Sequence, residues 1–309
     1  MSEIDTVLVV LAATLRAGTP LVFAALGELV TERSGVLNLG IEGMMLTGAV
    51  VGFIVAASGG GVALGLVAAI AAGVALSLVF GFLTLTLRAS QVPTGLALTI
   101  FGIGLSAFLG LGYRDKVIDG VAPLDIPGLS DLPILGPLLF AHDPLVYLSV
   151  AVLAGIAWFL NRSHAGLVLR AVGESHDIAH AIGYRVIRIR YLAVAFGGAM
   201  SGLAGAYLSL AYTPMWADNM TAGRGWIALA LVVFATWRPA RVMLGAYLFG
   251  GVTILQLHLQ GAGFAISPQL LSTLPYLATV LVLVLISRDA GKIRRNAPGA
   301  LGKAFFPGR

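Results

Sequence analysis

Three stretches of the chain set polar side chains and glycines inside apolar surroundings, and these are the places where chemistry could sit. The first is Glu32-Arg33-Ser34-Gly35-Val36-Leu37-Asn38-Leu39-Gly40-Ile41-Glu42-Gly43-Met44-Met45. Gly35, Gly40 and Gly43 permit a broken or close-packed backbone. A helix broken at membrane depth lines a cavity, because its freed backbone groups need polar partners. Asn38 and Glu42 are one helical turn apart and can share a face. The same residues also suit a plain turn with Glu32 and Arg33 snorkelling outward. The second stretch, Arg170-Ala171-Val172-Gly173-Glu174-Ser175-His176-Asp177-Ile178-Ala179-His180-Ala181-Ile182-Gly183-Tyr184, predicts a short helix in a loop. Glu174 or Ser175 can cap its start, Asp177 complements the positive end, and Gly183 suits a C-terminal stop. Ile178, Ala181 and Ile182 form an apolar face too small to be buried alone, so it should dock on a partner or on the chain's own spans. The third stretch is Asn219-Met220-Thr221-Ala222-Gly223-Arg224-Gly225-Trp226-Ile227-Ala228-Leu229-Ala230. Asn219 and Arg224 can hydrogen-bond a polar solute, while Trp226 suits an interface anchor or a stacking surface. Gln91-Val92-Pro93-Thr94-Gly95 could form a further helix break, adding Gln91 and Thr94 to a candidate polar pathway.

Several kinds of chemistry lack their residues. The chain has no cysteine, which excludes thiolate metal sites and cysteine nucleophiles. Its five histidines show no metal-ligand spacing; His176 and His180 suit a surface pair better than a zinc site. There is no phosphate-binding Gly-x-x-x-x-Gly-Lys-Ser/Thr, and no Ser/His/Asp order that reads as a hydrolase. No catalytic residue, metal or bound cofactor is therefore expected.

The elements that must position these stretches are membrane spans. Of 309 residues, 58% are apolar and only 11% are Asp, Glu, Lys or Arg. A soluble domain carries roughly 25% charged residues, and a mean hydropathy of +0.95 points to lipid as the main solvent. The acidic start, Met1-Ser2-Glu3-Ile4-Asp5, does not read as a cleavable signal. Stretches near the ~20 apolar residues that cross a bilayer fall at Ile4–Val30, Ile41–Ala57, Val62–Leu87, Gly95–Gly112 and Pro144–Leu160. Others fall at Tyr191–Tyr212, Trp226–Trp237, Val242–His258 and Leu270–Ile286. The second, seventh and eighth are short enough to be tilted, broken or re-entrant. Gly198 and Gly202 make a small-xxx-small packing pair. The fold class is all-α: a polytopic membrane protein of about 8–10 spans, with broken helices around a central pathway.

Charge orients the spans. Segment 161–190 holds Arg162, Arg170, Arg185, Arg188 and Arg190 against Glu174 and Asp177. The tail 287–309 holds Arg288, Lys292, Arg294, Arg295, Lys303 and Arg309 against Asp289, and the turn after Trp237 holds Arg238 and Arg241. Segment 113–143 is instead acidic, with Asp115, Asp119, Asp125, Asp131 and Asp143, and its prolines and glycines suit either ordered turns or a loose linker. The positive-inside bias places the basic segments and the C-terminus in the cytoplasm. Arg16 sits badly in the middle of the first span: either that helix starts outside the bilayer, or Arg16 faces protein.

At the three polar stretches the sequence resembles the permease subunits of bacterial ABC importers of the branched-chain amino acid and simple-sugar type, and more closely their nucleoside-type branch. The stretch Glu32 to Met45 is similar to that branch's hallmark, Asn219 to Ala230 is also typical, and the resemblance covers nearly the whole chain. Ser175-His176 stands where the family usually has Asn-Pro, and Ala235-Thr236-Trp237-Arg238-Pro239 where it usually has a Gly and then Trp-Asn-Pro. The resemblance implies one permease domain over 1–309 in a bacterial inner membrane, working by alternating access, with nucleosides as cargo and simple sugars or flavins as alternatives. It implies a substrate pathway including Asn38, Glu42, Gln91, Thr94, Asn219, Arg224 and Trp226. It also implies that 161–190 is the coupling loop, with Arg170, Gly173, Glu174, Ile178, Ala181, Ile182 and Gly183 meeting a cytoplasmic ATPase. ATP is used by that partner. A second, different permease chain and an extracytoplasmic solute-binding protein complete the assembly, with the lipid bilayer around it and no nucleic acid. An ion-coupled secondary transporter is the competing reading.

Overall fold

The computed structural model describes residues 3–124, 127–130, 132–261 and 296–306, with scattered positions from 267 to 284. Most of the expected ninth span, Asp125, Asp131 and the basic residues Arg288, Lys292, Arg294, Arg295 and Arg309 lie outside the described residues.

Ten α-helices follow one another in the described part: α1 (Glu3–Arg33), α2 (Ile41–Val55), α3 (Gly61–Gly81), α4 (Gln91–Gly110) and α5 (Pro144–Arg162), then α6 (His164–Glu174), α7 (His176–Ala181), α8 (Val186–Tyr207), α9 (Arg224–Phe234) and α10 (Pro239–Gly261). Among the described residues, six helical stretches are long and apolar enough to cross a membrane. One of them, Ile41–Thr86, is two helices laid side by side, because the chain reverses at Gly59 (φ 95°) and Gly61 (φ 73°). Positive φ at two such close positions is cheap only for glycine. The chain is thus a multi-pass, all-helical membrane protein, with one isolated β-bridge, Val117 to Met215, among the described residues.

α1 is the spine. From Leu21 to Val30 almost every side chain is buried, against α5, α8, α9 and α10. α8 packs on α2 and α3 through small residues. A Cβ on Gly48 would lie 2.6 Å from the Gly202 backbone, and Gly198 faces Gly73 and Ser77. The Gly198/Gly202 pair thus belongs to a seam of three helices whose backbones nearly touch, which bulkier side chains would force apart.

Several boundaries differ from the sequence reading. α1 runs to Arg33, so Glu32 and Arg33 belong to its last turn rather than to a connecting turn. α4 begins at Gln91, because Pro93 falls in a first turn whose N–H groups need no helical partner. Gln91 and Thr94 therefore sit in a helix, and the break precedes them at Arg88 (φ 59°). The single loop helix is two: Ser175 is extended, ends α6, and its Oγ accepts from Ile178 N to start α7. Gly183 (φ 93°) follows α7 as its left-handed stop.

The two ends differ in charge. One gathers Arg33, α6, α7, the turn after α9 and the tail 296–306. The opposite end gathers the described residues of 113–143 together with 213–218, where Arg114 pairs with Asp218. There the turns are ordered: Leu124 N bonds His142 O, and Asp143 caps α5 by accepting from Leu145 N (3.0 Å) and Val146 N (3.3 Å). Arg16 faces protein here: its Nη2 donates to Ala211 O at 3.1 Å, and its Nε lies 3.8 Å from Asp143 Oδ2.

Candidate functional site

The break between α1 and α2 is built by Asn38. Its Oδ1 accepts from Gly40 N (2.9 Å), the side-chain-to-backbone closure that lets Asn start a turn. Its own N–H donates to Glu28 Oε1 on α1 (3.0 Å), and Leu37 N donates to Gln91 Oε1 (2.8 Å). Thr99 Oγ1 on α4 donates to Leu39 O (2.9 Å). Backbone groups released by the break are thus taken up by side chains of α1 and α4.

Glu42, one turn into α2, reaches the second broken span. Residues 213–223 run without helix from α8 to α9, and α9 has eleven residues. At 1.5 Å per residue it covers about 16 Å, roughly half the hydrocarbon thickness. Glu42 Oε1 accepts from Thr221 Oγ1 (2.5 Å) and Gly223 N (2.8 Å), and Oε2 accepts from Gly225 N (2.6 Å). The carboxylate takes up N–H groups that the start of α9 leaves free, and its charge sits at the positive end of that helix. Gly225 has to be glycine for this approach, since a Cβ there would come within 2.6 Å of the Glu42 backbone.

The structure therefore joins the first and third stretches of the sequence through one carboxylate. Asn38 (1% exposed) and Glu42 (3%) face neither lipid nor open solvent. Gln91 is buried beside them, and Thr94 is half-buried with its Oγ1 bonded to Ser90 O (2.7 Å). Asn219 (φ 55°) and Trp226 are exposed. Arg224 holds the carbonyls of Met220 and Thr221 at 3.2 Å and lines a cleft of about 150 Å³ with Leu208, Tyr212, Thr213, Met215, Ala217 and Met220.

The loop helices lie at the basic end. Gly173 packs directly on the Arg33 carbonyl, which brings α6 against the end of α1. Arg170 and Glu174 border a cavity of about 280 Å³ with Arg33 and Pro298. α7 turns Ala179 and His176 inward and leaves Ile178 and Ile182 each 66% exposed, with Ala181 and Gly183 also exposed. The apolar face is thus uncovered by the chain's own spans. Burial, and next the Arg190 charge, hold the His176 ring below its ordinary pKa of 6.5.

Sequence reasoning passed over Glu28, Thr221 and Arg190. Glu28 carried a usable signal, since a carboxylate inside an apolar span marks a polar interior. Thr221 stood inside a quoted stretch, but only the fold shows what its hydroxyl meets. Arg190 was counted only as loop charge.

The family model described as branched-chain amino acid transport system / permease component matches residues 10–286. The chain is 42% identical over 315 residues to a putative glucose ABC transporter permease of Haloferax volcanii, covering 95% of this chain and 96% of that one. It is 32% identical to a guanosine ABC transporter permease of Bacillus subtilis, over 100% of both chains. It is 29% identical to a nucleoside ABC transporter permease of Lactococcus lactis, over 99% of this chain and 96% of the other.

Proposed function

The chain belongs to the branched-chain amino acid transport permease family, and from that premise we propose that it forms the nucleoside pathway of an ATP-driven importer. The observation that carries this reading is the Glu42 clamp, which ties the breaks in two spans together. Broken spans held side by side create polar backbone surface at membrane depth, and such surface lines solute routes. Asn38 and Glu42 shape the route by fixing the breaks. Gln91 and Thr94 support it from α4, and Asn219, Arg224 and Trp226 stand where a solute enters. Relatives in this family are transport proteins rather than enzymes, so the chain lowers a barrier and leaves hydrolysis to its ATPase.

Family membership brings an ATPase and a solute-binding protein as partners. The exposed Ile178 and Ile182 on α7 suit the ATPase, since a helix laid in a groove binds through such spaced apolar anchors. With α7 on the ATPase, the basic end would lie in the cytoplasm and the Asp143 end outside. Ala181→Glu should weaken ATPase co-purification, and single cysteines at 185 and 119 should react with an impermeant thiol reagent only at 119.

A sugar cargo is the second reading, favoured by the 42% identity to the putative glucose permease. Uptake of labelled guanosine, ribose, glucose and flavin by a deletion strain, with and without the gene restored, separates the two. Restored guanosine uptake supports the nucleoside reading; restored glucose uptake alone overturns it.

A further inference from the structure

The basic end contains a joint that the transport reading leaves unused. Arg190, in the first turn and a half of α8, is only 1% exposed. Its guanidinium reaches three separate parts of the chain. Nε donates to Ser34 O in the helix break (3.2 Å), Nη1 to Lys303 O in the tail (3.2 Å), and Nη2 to His176 Nδ1 at the start of α7 (3.1 Å). A guanidinium has no acceptor, so His176 must receive this bond at Nδ1 as a neutral ring.

The tail strengthens the same three-way meeting. Ala300 N donates to Gly173 O on α6 (2.9 Å), Gly302 N to Gly35 O in the break (3.2 Å), and Arg33 Nη1 to Asn296 O (3.2 Å). Phe305 is 7% exposed and stands edge-on to His176 and His180, each with ring centroids 5.3 Å apart. Arg88, in the break before α4, lies over the Phe306 ring at 5.0 Å. The segment 296–306 thus touches both loop helices and the breaks that precede α2 and α4.

We infer that Arg190 and the tail 296–306 are the transmission of the permease, a strap that carries movement of α6 and α7 to the helix break at 34–40. The inference rests on the reading above, in which α7 meets the ATPase. It adds the route by which motion arriving there reaches the Glu42 clamp. Arg190 is a positioning residue: it acts through Ser34 and His176 and touches no solute. A planar fork with donors in fixed directions suits a joint among three segments, whereas lysine offers a point charge that cannot span them.

The test uses the whole assembly, with ATPase, partner permease and binding protein, in proteoliposomes. The variants are Arg190→Lys, Phe305→Ala and a chain ending at residue 295. Two quantities are read: ATP hydrolysed per labelled guanosine or glucose imported, and hydrogen exchange of the 34–40 amides on ATPase binding. The strap predicts that each variant keeps the ATPase bound and hydrolysing, while the ATP used per solute rises about tenfold, within the span of ordinary coupling energies. It also predicts that the exchange response of 34–40 to the ATPase disappears. Wild-type stoichiometry and a wild-type exchange response in both tail variants would overturn it. Those two variants also decide the matter should Arg190→Lys fail to assemble. An assembly that hydrolyses ATP but imports neither probe counts against the proposed cargo, and the exchange measurement still decides the strap.

Discussion

Glu42 and Arg190 are two of the buried charged residues, alongside Glu28, Glu32 and Asp143, and neither has an opposite charge within salt-bridge distance among the described residues. Each is neutralised by three dipoles instead. The Glu42 donors all come from Thr221 to Gly225, at 2.5–2.8 Å. The Arg190 acceptors come from Ser34, His176 and Lys303, at 3.1–3.2 Å. Short bonds to one compact stretch make a clamp, since nothing can shift without losing all three. Longer bonds to three segments far apart in the chain make a joint, since motion of one can pass to the others through bonds that flex without all breaking. On the proposed reading, the difference separates the part that would hold the pathway's shape from the part that would let it respond.

The largest effect should come from breaking the clamp. Glu42→Leu leaves the Thr221 hydroxyl and two backbone N–H groups buried without acceptors. Each such group costs about 1–3 kcal/mol. Arg190→Leu also strips three partners, but these lie at the end of the bundle, where water can replace the lost donors. The comparison therefore predicts a large fall in melting temperature and membrane abundance for Glu42→Leu, and a smaller one for Arg190→Leu. Normal abundance with lost uptake in Glu42→Leu would instead make Glu42 a group that acts on the solute. Thermal unfolding in detergent and quantitative membrane blots decide between these.

How much of this was legible follows from the range of the contacts. The three polar stretches were visible because glycine and polar residues break an apolar run, and the fold places all three at breaks or helix starts. Ser175 was readable as a cap. The meeting of Glu42 with Gly225 was not, since 183 residues separate them and no local preference records such a contact. The tail shows the same limit. Ala300, Gly302 and Phe305 carry no periodic signal, and their importance lies in reaching Gly173, Gly35 and His176. Arg16 looked misplaced only because its partners, Ala211 and Asp143, are distant in the chain.

An intermediate effect, confined to the joint, should follow pH. His176 titrates below its ordinary 6.5 because burial and the Arg190 charge disfavour the imidazolium, while Asp177, at 3.5 Å, opposes them and Lys303 adds to them. The unfolded state then binds more protons than the folded one below about pH 6.5, so stability is full above that value and falls as pH drops through the folded pKa. Protonation also removes the acceptor that Arg190 uses. The ATP used per solute should rise as pH falls from 7.5 to 5.5, and His176→Gln, which cannot titrate, should flatten that profile. The Glu42 clamp faces no imidazole among its partners, so Gly225-side exchange protection should not follow the same curve. A pH profile unchanged by His176→Gln would remove His176 from the joint.

The smallest effect belongs to Arg16, a third charge that resembles the other two only in lying along a span. Its side chain is 43% exposed, its carboxylate partner is 3.8 Å away, and it bonds Ala211 O at 3.1 Å. With Arg16 this exposed and 3.8 Å from a carboxylate that is itself 2% exposed and otherwise bonded, the pair is worth about 0–1 kcal/mol. Asp143 does not depend on it, being held by Leu145 N, Val146 N and the Tyr207 hydroxyl (3.1 Å). Arg16→Gln should therefore keep uptake and lower the melting temperature by no more than about 2–4 °C, the shift that ~1 kcal/mol produces in a domain of 150–250 residues. Asp143→Leu, which uncaps α5 and frees the Tyr207 hydroxyl, should cost clearly more. If Arg16→Gln proved as damaging as Glu42→Leu, burial would no longer separate a charge that builds the fold from one that decorates it. The contrast of Arg16 with clamp and joint would then need a different basis.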